Sequence, residues 1–338
     1  MFARGLSGRR PPGPRLLGSD PPLGPRAAGL LLGVAADAVF ADPARWHPVA
    51  GFGRFAGRLE TYCYADSKAA GLGYAGLATG AAVVVGAAVA RLTRARPALE
   101  TLTVAAATWA VLGGASLAGE AAALAGALED GDLPAARARI PNLCGRDPNA
   151  LDAAGMARAA AESVAENTSD AVVGPLLWGA LAGVPGLLGY RAVNMLDAMV
   201  GYRSSRYRRF GWAAARTDDL ANLLPARLTA LLTVLASAPL GGSPAGAVRA
   251  WRRDAGGHPS PNAGPVEASA AGALGIRLGG LTQYAHGVEQ RPVLGSGPVP
   301  TQADLRRMVR LSRVLGWSAA GVAALTAELL ARRRSRPT

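Results

Sequence analysis

The chain alternates long uncharged runs with short, dense polar blocks. Gly71–Ala90 and Thr101–Gly119 carry no charge. Each is about 20 residues, roughly 30 Å as a helix, which matches the hydrocarbon core of a bilayer. Ala171–Tyr190 has similar length but holds Pro175 and Pro185. That pattern predicts a re-entrant or kinked helix, tolerated at membrane depth only where protein covers the freed backbone. Leu228–Val248 is long enough but ends in Gly and Pro, and Val314–Ala327 and Ala27–Ala36 are shorter. The competing expectation is a soluble bundle whose Ala- and Gly-rich helices fill its own core. Length and absence of charge favour the membrane for the first two runs, and the other four stay open between the two.

The Ala, Leu, Arg and Glu bias favours helix, and no segment sustains the period-2 alternation of a strand. Gly287–Pro300 reads as a loop, and Thr301 then caps a helix with Asp304 at its third position. The predicted fold class is all-α: a multi-pass integral membrane helical protein with re-entrant or broken helices and polar connecting segments. Residues 1–26, rich in Pro, Gly and Arg, are expected to be a disordered extension. Residues 27–331 form one membrane-embedded helical domain, and residues 332–338 a basic tail.

Composition changes this picture little. The net charge is +13 over 338 residues, and Lys68 is the sole lysine. Arginines cluster at 91–96, 203–209, 249–253 and 332–334. The positive-inside rule would place each cluster in the cytoplasm, which is impossible if every run crosses once. A basic chain suits nucleic acid, an anionic membrane surface or anionic substrates. No nucleic-acid motif and few aromatics are present, so nucleic acid is not an expected partner. Cys63 and Cys144, with no CxxC, support neither a disulfide scaffold nor a zinc site.

The polar blocks carry the chemistry. Glu162, Glu166 and Asp170 are spaced by four, so on a continuous helix they share a face and repel one another. A divalent cation would remove that repulsion, with Asn167 as a neutral donor beside it; the alternative is a solvated acidic face. Arg191, Asn194 and Asp197, spaced by three, face a bundle interior or cavity, or else form a buried pair that fixes packing. Tyr202, Arg203 and Arg206 open an arginine-rich stretch suited to phosphate or carboxylate recognition, or to anchoring at the membrane. Asp218, Asp219 and Asn222 can hold a Mg²⁺ that bridges phosphates, or cap a helix. His47-Pro48 and His258-Pro259 each fix an extended backbone behind an imidazole, the second followed by Asn262 and Glu267. There is no P-loop, HExxH or GxGxxG ahead of a helix, so any ATP binds without a Walker lysine.

Taken together, ESVAENTSDAVVGPLLW, YRAVNMLDAMVGYRSSRYRRFGW, ARTDDLANLLPARLTA, HPSPNAGPVEASAAGALGIRLGG and the earlier ADPARWHPVAGFGR resemble the adenosylcobinamide-phosphate synthase family of cobalamin biosynthesis, also called CobD or CbiB. The resemblance spans roughly residues 27–330. Pro265-Val266 departs from the Trp-Pro expected after Pro-Asn-Ala-Gly. The resemblance implies a multi-pass inner-membrane enzyme with its site toward the cytoplasm. The implied reaction joins (R)-1-aminopropan-2-ol, or its O-phosphate, to a propionate of the corrinoid adenosylcobyric acid, using ATP and Mg²⁺. Other cobalamin-biosynthesis proteins are implied as partners. The roles expected within that reaction come from its chemistry. Glu166, Asp219, His258 and Glu267 are the catalytic candidates. Glu162, Glu166, Asp170, Asp218 and Asp219 are the metal candidates. Asn167, Arg191, Asn194, Asp197, Tyr202, Arg203, Arg206, Asn222, Asn262 and His47 are the substrate and phosphate candidates. The competing function is a membrane transporter or scaffold component without ligase activity.

Overall fold

The computed structural model describes residues 23–42, 47–202, 204–284 and 287–334. Arg203 and residues 1–22 of the expected extension lie outside them. The chain is built from α1 (Pro25–Phe40), α2 (Pro48–Cys63), α3 (Lys68–Thr93), α4 (Pro97–Val111), α5 (Gly114–Glu129), α6 (Leu133–Leu143), α7 (Ala153–Thr168), α8 (Gly174–Ala182), α9 (Val184–Leu196), α10 (Tyr207–Phe210), α11 (Trp212–Ala221), α12 (Leu223–Ser237), α13 (Pro244–Asp254), α14 (Ala263–Leu274), a hairpin of β1 (Leu278–Tyr284) and β2 (Gly287–Leu294), and α15 (Gln302–Arg334). Proline starts α1, α2, α4 and α13, where its missing N–H costs nothing. Thr301 and Asp304 form the expected reciprocal cap of α15: the Thr301 N–H donates to Asp304 Oδ2 at 3.1 Å and the Asp304 N–H to Thr301 Oγ1 at 3.4 Å.

Four helical stretches are long and apolar enough to cross a membrane: Lys68–Thr93, Pro97–Glu129, Leu223–Leu240 and Gln302–Arg333. On α3 the side chains of Leu72, Leu77 and Val84 point outward, 61–67% exposed. A soluble bundle would have turned them inward, because burial of apolar surface is the main force holding such a bundle together. The protein is a multi-pass helical membrane protein. The run Thr101–Gly119 is not one continuous helix, however. It breaks at Leu112–Gly113, where the Gly113 N–H donates to the Ala171 carbonyl at 3.3 Å. The break expected in Ala171–Tyr190 is present, and its pivot is Gly183, at φ +67°. There α8 turns back into α9 as a short helical hairpin, each arm too short to span.

Close helix approach rests on glycine. Gly29 and Gly33 of α1 face α4, and a Cβ on Gly29 would stand 2.6 Å from Val104 Cβ. This is the small-xxx-small spacing that lets membrane helices meet backbone to backbone. On the lipid-facing side of α3, Cβ atoms on Gly76 and Gly80 would meet nothing within 4 Å.

The expected loop at Gly287–Pro300 is corrected. Its first half is β2, paired antiparallel with β1. Alternation is weak here because the ribbon is held chiefly by polar contacts. Arg158 donates to the carbonyls of Gly279 and Leu281 at 2.9 and 2.7 Å, and the Gly295 N–H donates to Asp254 Oδ2 at 2.8 Å.

Gly33→Leu is expected to prevent α1 from docking on α4, with loss of monodisperse folded protein in detergent size-exclusion chromatography. Gly80→Leu, pointing into lipid, is expected to elute and melt like the parent.

Candidate functional site

Two irregular turns prepare the site. Helix α7 does not end at the Thr-Ser-Asp that resembles a cap. It continues as a π-helical turn over Ser169–Val173, and α9 likewise runs into a π turn at Asp197–Gly201. Such widened turns concentrate at functional positions, and these two present Asp170 and Asp197. Together with Glu166 at the end of α7, Asp218 and Asp219 in the last turn of α11, Asn222, and Ser260 and Asn262 ahead of α14, they line one cavity of about 200 Å³.

Its walls are cross-linked by hydrogen bonds. The Tyr190 hydroxyl lies 2.6 Å from Asn222 Oδ1 and 3.1 Å from the Asp170 carbonyl. Asn222 Nδ2 donates to Asp218 Oδ2 at 3.0 Å. Asn262 Nδ2 donates to the Asp219 carbonyl at 2.7 Å, and Asn262 Oδ1 accepts from Arg227 at 2.9 Å. Asp218 Oδ1 is buried without a partner. Burial, with Asp197 nearby, raises the Asp218 carboxyl from an ordinary 3.8 to about 7. Burial, then Asp219, raises Asp197 from 3.8 to about 6.

A second polar cluster adjoins the first. Arg146 and Glu162 form an ion pair, both side chains 4% exposed, and Glu162 Oε1 accepts from the Gly279 N–H at 2.7 Å. Arg291 donates to His258 Nε2 at 2.6 Å. Since arginine only donates, the His258 proton sits on Nδ1, 3.2 Å from the Ser260 carbonyl. Glu267 lies 3.9 Å from both His258 and Arg291, and its Oε1 makes no hydrogen bond. Burial, then Glu166 and Glu162, pushes the Glu267 carboxyl well above its usual range.

Several expectations are corrected. Glu162 is not a free metal ligand, because Arg146 and the hairpin backbone occupy its two oxygens. His258 is not free to take a proton, because Arg291 holds its acceptor nitrogen. Asn167 turns back to donate to the Ser163 carbonyl at 2.9 Å. Arg191 pairs with Asn194, at 3.2 Å, and not with Asp197; the Asn194 side chain also hydrogen-bonds Asp218. His47 caps α2, accepting from the Val49 N–H at 3.1 Å while Nε2 contacts Asp42 at 3.2 Å. Tyr202 stands exposed against Tyr207, and Arg206 donates to Glu60 at 2.9 Å; neither lines the acidic cavity. Sequence reasoning passed over Arg146, Tyr190, Arg227 and Arg291. Only the isolation of Arg227 within an apolar run and of Arg146 beside Asp147 marks them in the sequence.

Among the described residues, no three carboxylate, imidazole or thiol groups stand close enough to hold a metal ion by themselves. The donor set still suits Mg²⁺ arriving with a polyphosphate, since that ion keeps several waters and takes only one or two protein carboxylates. The unpartnered Asp218 Oδ1 is such a donor.

Two outcomes follow from these contacts. The raised Asp218 carboxyl means that the folded state holds its proton more tightly than the unfolded chain does. Stability is therefore lost as pH rises from about 3.8 to about 7. Asp218→Asn is expected to raise the melting temperature at pH 8 and change it little at pH 4. Arg146→Ala leaves Glu162 charged and buried, and should cost about 3–5 kcal/mol, read as a lowered melting temperature and yield; Arg146→Lys should recover part of it.

Residues 30–312 match the family described as CobD/Cbib protein. The chain is 57% identical over 310 residues to a Mycobacterium tuberculosis protein named cobalamin biosynthesis protein CobD, covering 91% of this chain and 97% of that one. Its identity to the protein of the same name from Chromobacterium violaceum is 44% over 299 residues, 85% of this chain and 93% of the other. A Rhodobacter capsulatus protein of that name is 50% identical over 206 residues, 61% of this chain and 64% of the other. No solved structure matches. The match over most of the chain and the level of identity mean that this membrane protein, with its acidic cavity between two widened helical turns, belongs to the CobD/Cbib family.

Proposed function

We propose that this protein acts in cobalamin biosynthesis as an ATP-dependent acid–amine ligase, joining (R)-1-aminopropan-2-ol or its O-phosphate to a propionate of adenosylcobyric acid. The observation that carries this reading is the convergence of Glu166, Asp170, Asp197, Asp218 and Asp219 on one cavity. Carboxylates held together at that density repel one another, and a cation bound with a polyphosphate would relieve the strain. The names of the relatives supply the pathway.

The chemistry needs activation because a carboxylate does not condense with an amine in water. The substrate carboxylate attacks the γ-phosphorus of ATP. The bond from the γ-phosphorus to the β–γ bridging oxygen breaks, releasing ADP and leaving an acyl phosphate. The amine nitrogen then attacks the acyl carbon, loses a proton to a base, and phosphate departs. Asp218, Asp219 and Glu166 would hold Mg²⁺, which supplies charge neutralisation for the phosphates. Arg227, held by Asn262 at the cavity edge, offers a guanidinium to developing phosphate charge. Glu267 is the candidate base. Desolvation makes its ionised form more basic than an exposed carboxylate, and its Oε1 has no hydrogen bond to give up. Such a site would face the cytoplasm, where ATP is available, and other proteins of the pathway would supply and remove its corrinoids.

The test supplies detergent-purified protein with adenosylcobyric acid, ATP, Mg²⁺ and either amine, and detects the amide by mass spectrometry. Asp219→Ala and Glu166→Ala are expected to lower amide formation about 10²-fold or more, with insertion and expression unchanged. Full turnover in both variants at saturating Mg²⁺ would remove the acidic cavity from the mechanism. Absence of product from the parent with either amine would remove the ligase reading.

A further inference from the structure

A second cavity, of about 330 Å³, lies on the other face of the first π turn. Val172 lines this cavity, while Ser169 and Asp170 line the acidic one. Its inner wall carries Asp37 of α1, 6% exposed. Asp37 Oδ2 accepts from the Ala115 N–H at 3.0 Å, at the start of α5 where the α4–α5 stretch breaks. Asp37 Oδ1 is buried and has no hydrogen-bond partner. Arg313 of α15 lines the same cavity and is exposed. Trp317, one turn further along α15, stands 52% exposed at its edge, and Val34, Leu112 and Val172 supply apolar walls between.

A carboxylate oxygen left bare inside a protein has lost its water and gained nothing in return. The group that satisfies it must donate hydrogen bonds and is favoured if it carries positive charge. A metal ion is a poor match, because no cluster of three acidic, imidazole or thiol ligands is present among the described residues. A primary ammonium fits, with three donors on a compact charge. Arg313 on the same cavity calls for an anion at the other end of the ligand, and a guanidinium is suited to phosphate. The apolar walls between the two charges accept a short alkyl link.

We propose that this cavity is a binding site for a short aminoalkyl phosphate, its ammonium on Asp37 Oδ1 and its phosphate on Arg313. That chemistry has two sources: a free phosphorylated amino alcohol, and the headgroup of phosphatidylethanolamine in the surrounding bilayer. The site stands independently of the ligase reading, because its residues lie apart from the acidic cavity.

The experiment measures binding of O-phosphoethanolamine to the full-length protein by calorimetry, in nanodiscs of phosphatidylcholine alone and with added phosphatidylethanolamine. Asp37→Asn removes the charge while keeping an oxygen for the Ala115 N–H, and Arg313→Gln changes an exposed residue; melting temperature checks that both fold. Each variant is expected to weaken binding tenfold or more, and ethanolamine or inorganic phosphate alone should bind at least tenfold more weakly than the joined molecule. Equal binding in both lipid compositions assigns the site to the free compound, and competition by phosphatidylethanolamine assigns it to the lipid headgroup. No binding to the parent in phosphatidylcholine discs, unchanged affinity in both variants, or equal binding of inorganic phosphate alone overturns the proposal.

Discussion

Mutual repulsion among buried carboxylates is the constraint around which this protein is built. Five of them face one small cavity, and Glu162 and Glu267 stand just behind it. Nothing in an isolated helix would hold such groups together. The bundle does so with groups fixed from outside the cavity: Arg146 on Glu162, Arg291 facing Glu267, Tyr190 and Arg227 on the asparagines between. Protonation supplies the rest, since burial raises Asp197 and Asp218 toward neutrality. The apolar mass of the protein is the scaffold that keeps these groups from moving apart.

The scaffold achieves that rigidity through close backbone contact. The Gly29–Gly33 face of α1 seats α4, and the turn at Gly183 folds α8 onto α9. The α8–α9 hairpin then brings both widened turns, one at each of its ends, to the same level. The position of Asp170 relative to Asp197 is therefore set by packing around α8 and α9. The β-ribbon closes the opposite side, where it carries Arg291 to His258 and lends a backbone N–H to Glu162.

Much of this was legible in the sequence, for identifiable reasons. Uncharged runs such as Gly71–Ala90 announce helices because hydrocarbon tolerates no unpaired backbone polar group. The acidic blocks announce a site because charge beside apolar sequence is costly without a role. The ribbon escaped because polar contacts hold it where alternation would otherwise show. The break at Leu112–Gly113 escaped because glycine within an apolar run reads as tolerated helix until a neighbour accepts its N–H. Partner choice was the least legible layer. Arg191 has both Asn194 and Asp197 within helical reach, and only the widened turn at Asp197 decides between them. The commitments of His258 and Glu162 depend on Arg291 and Arg146, distant in sequence.

Those widened turns also act as phase shifts. A π turn inserts roughly one residue without adding a turn, and one residue is roughly 100° of rotation about the helix axis. Every side chain beyond Val173 is therefore rotated relative to the face that α7 alone would define. Glu162, Glu166 and Asp170 recur at the interval of a regular helix, yet Glu162 belongs to one cluster while Glu166 and Asp170 belong to another. A single-residue deletion within Ser169–Val173 would keep every polar group and every apolar run, and could even regularise the helix. It would also turn α8, and everything hung from it, out of phase with the acidic cavity. In this fold, the count of residues between two carboxylates is as much a part of the site as the carboxylates themselves.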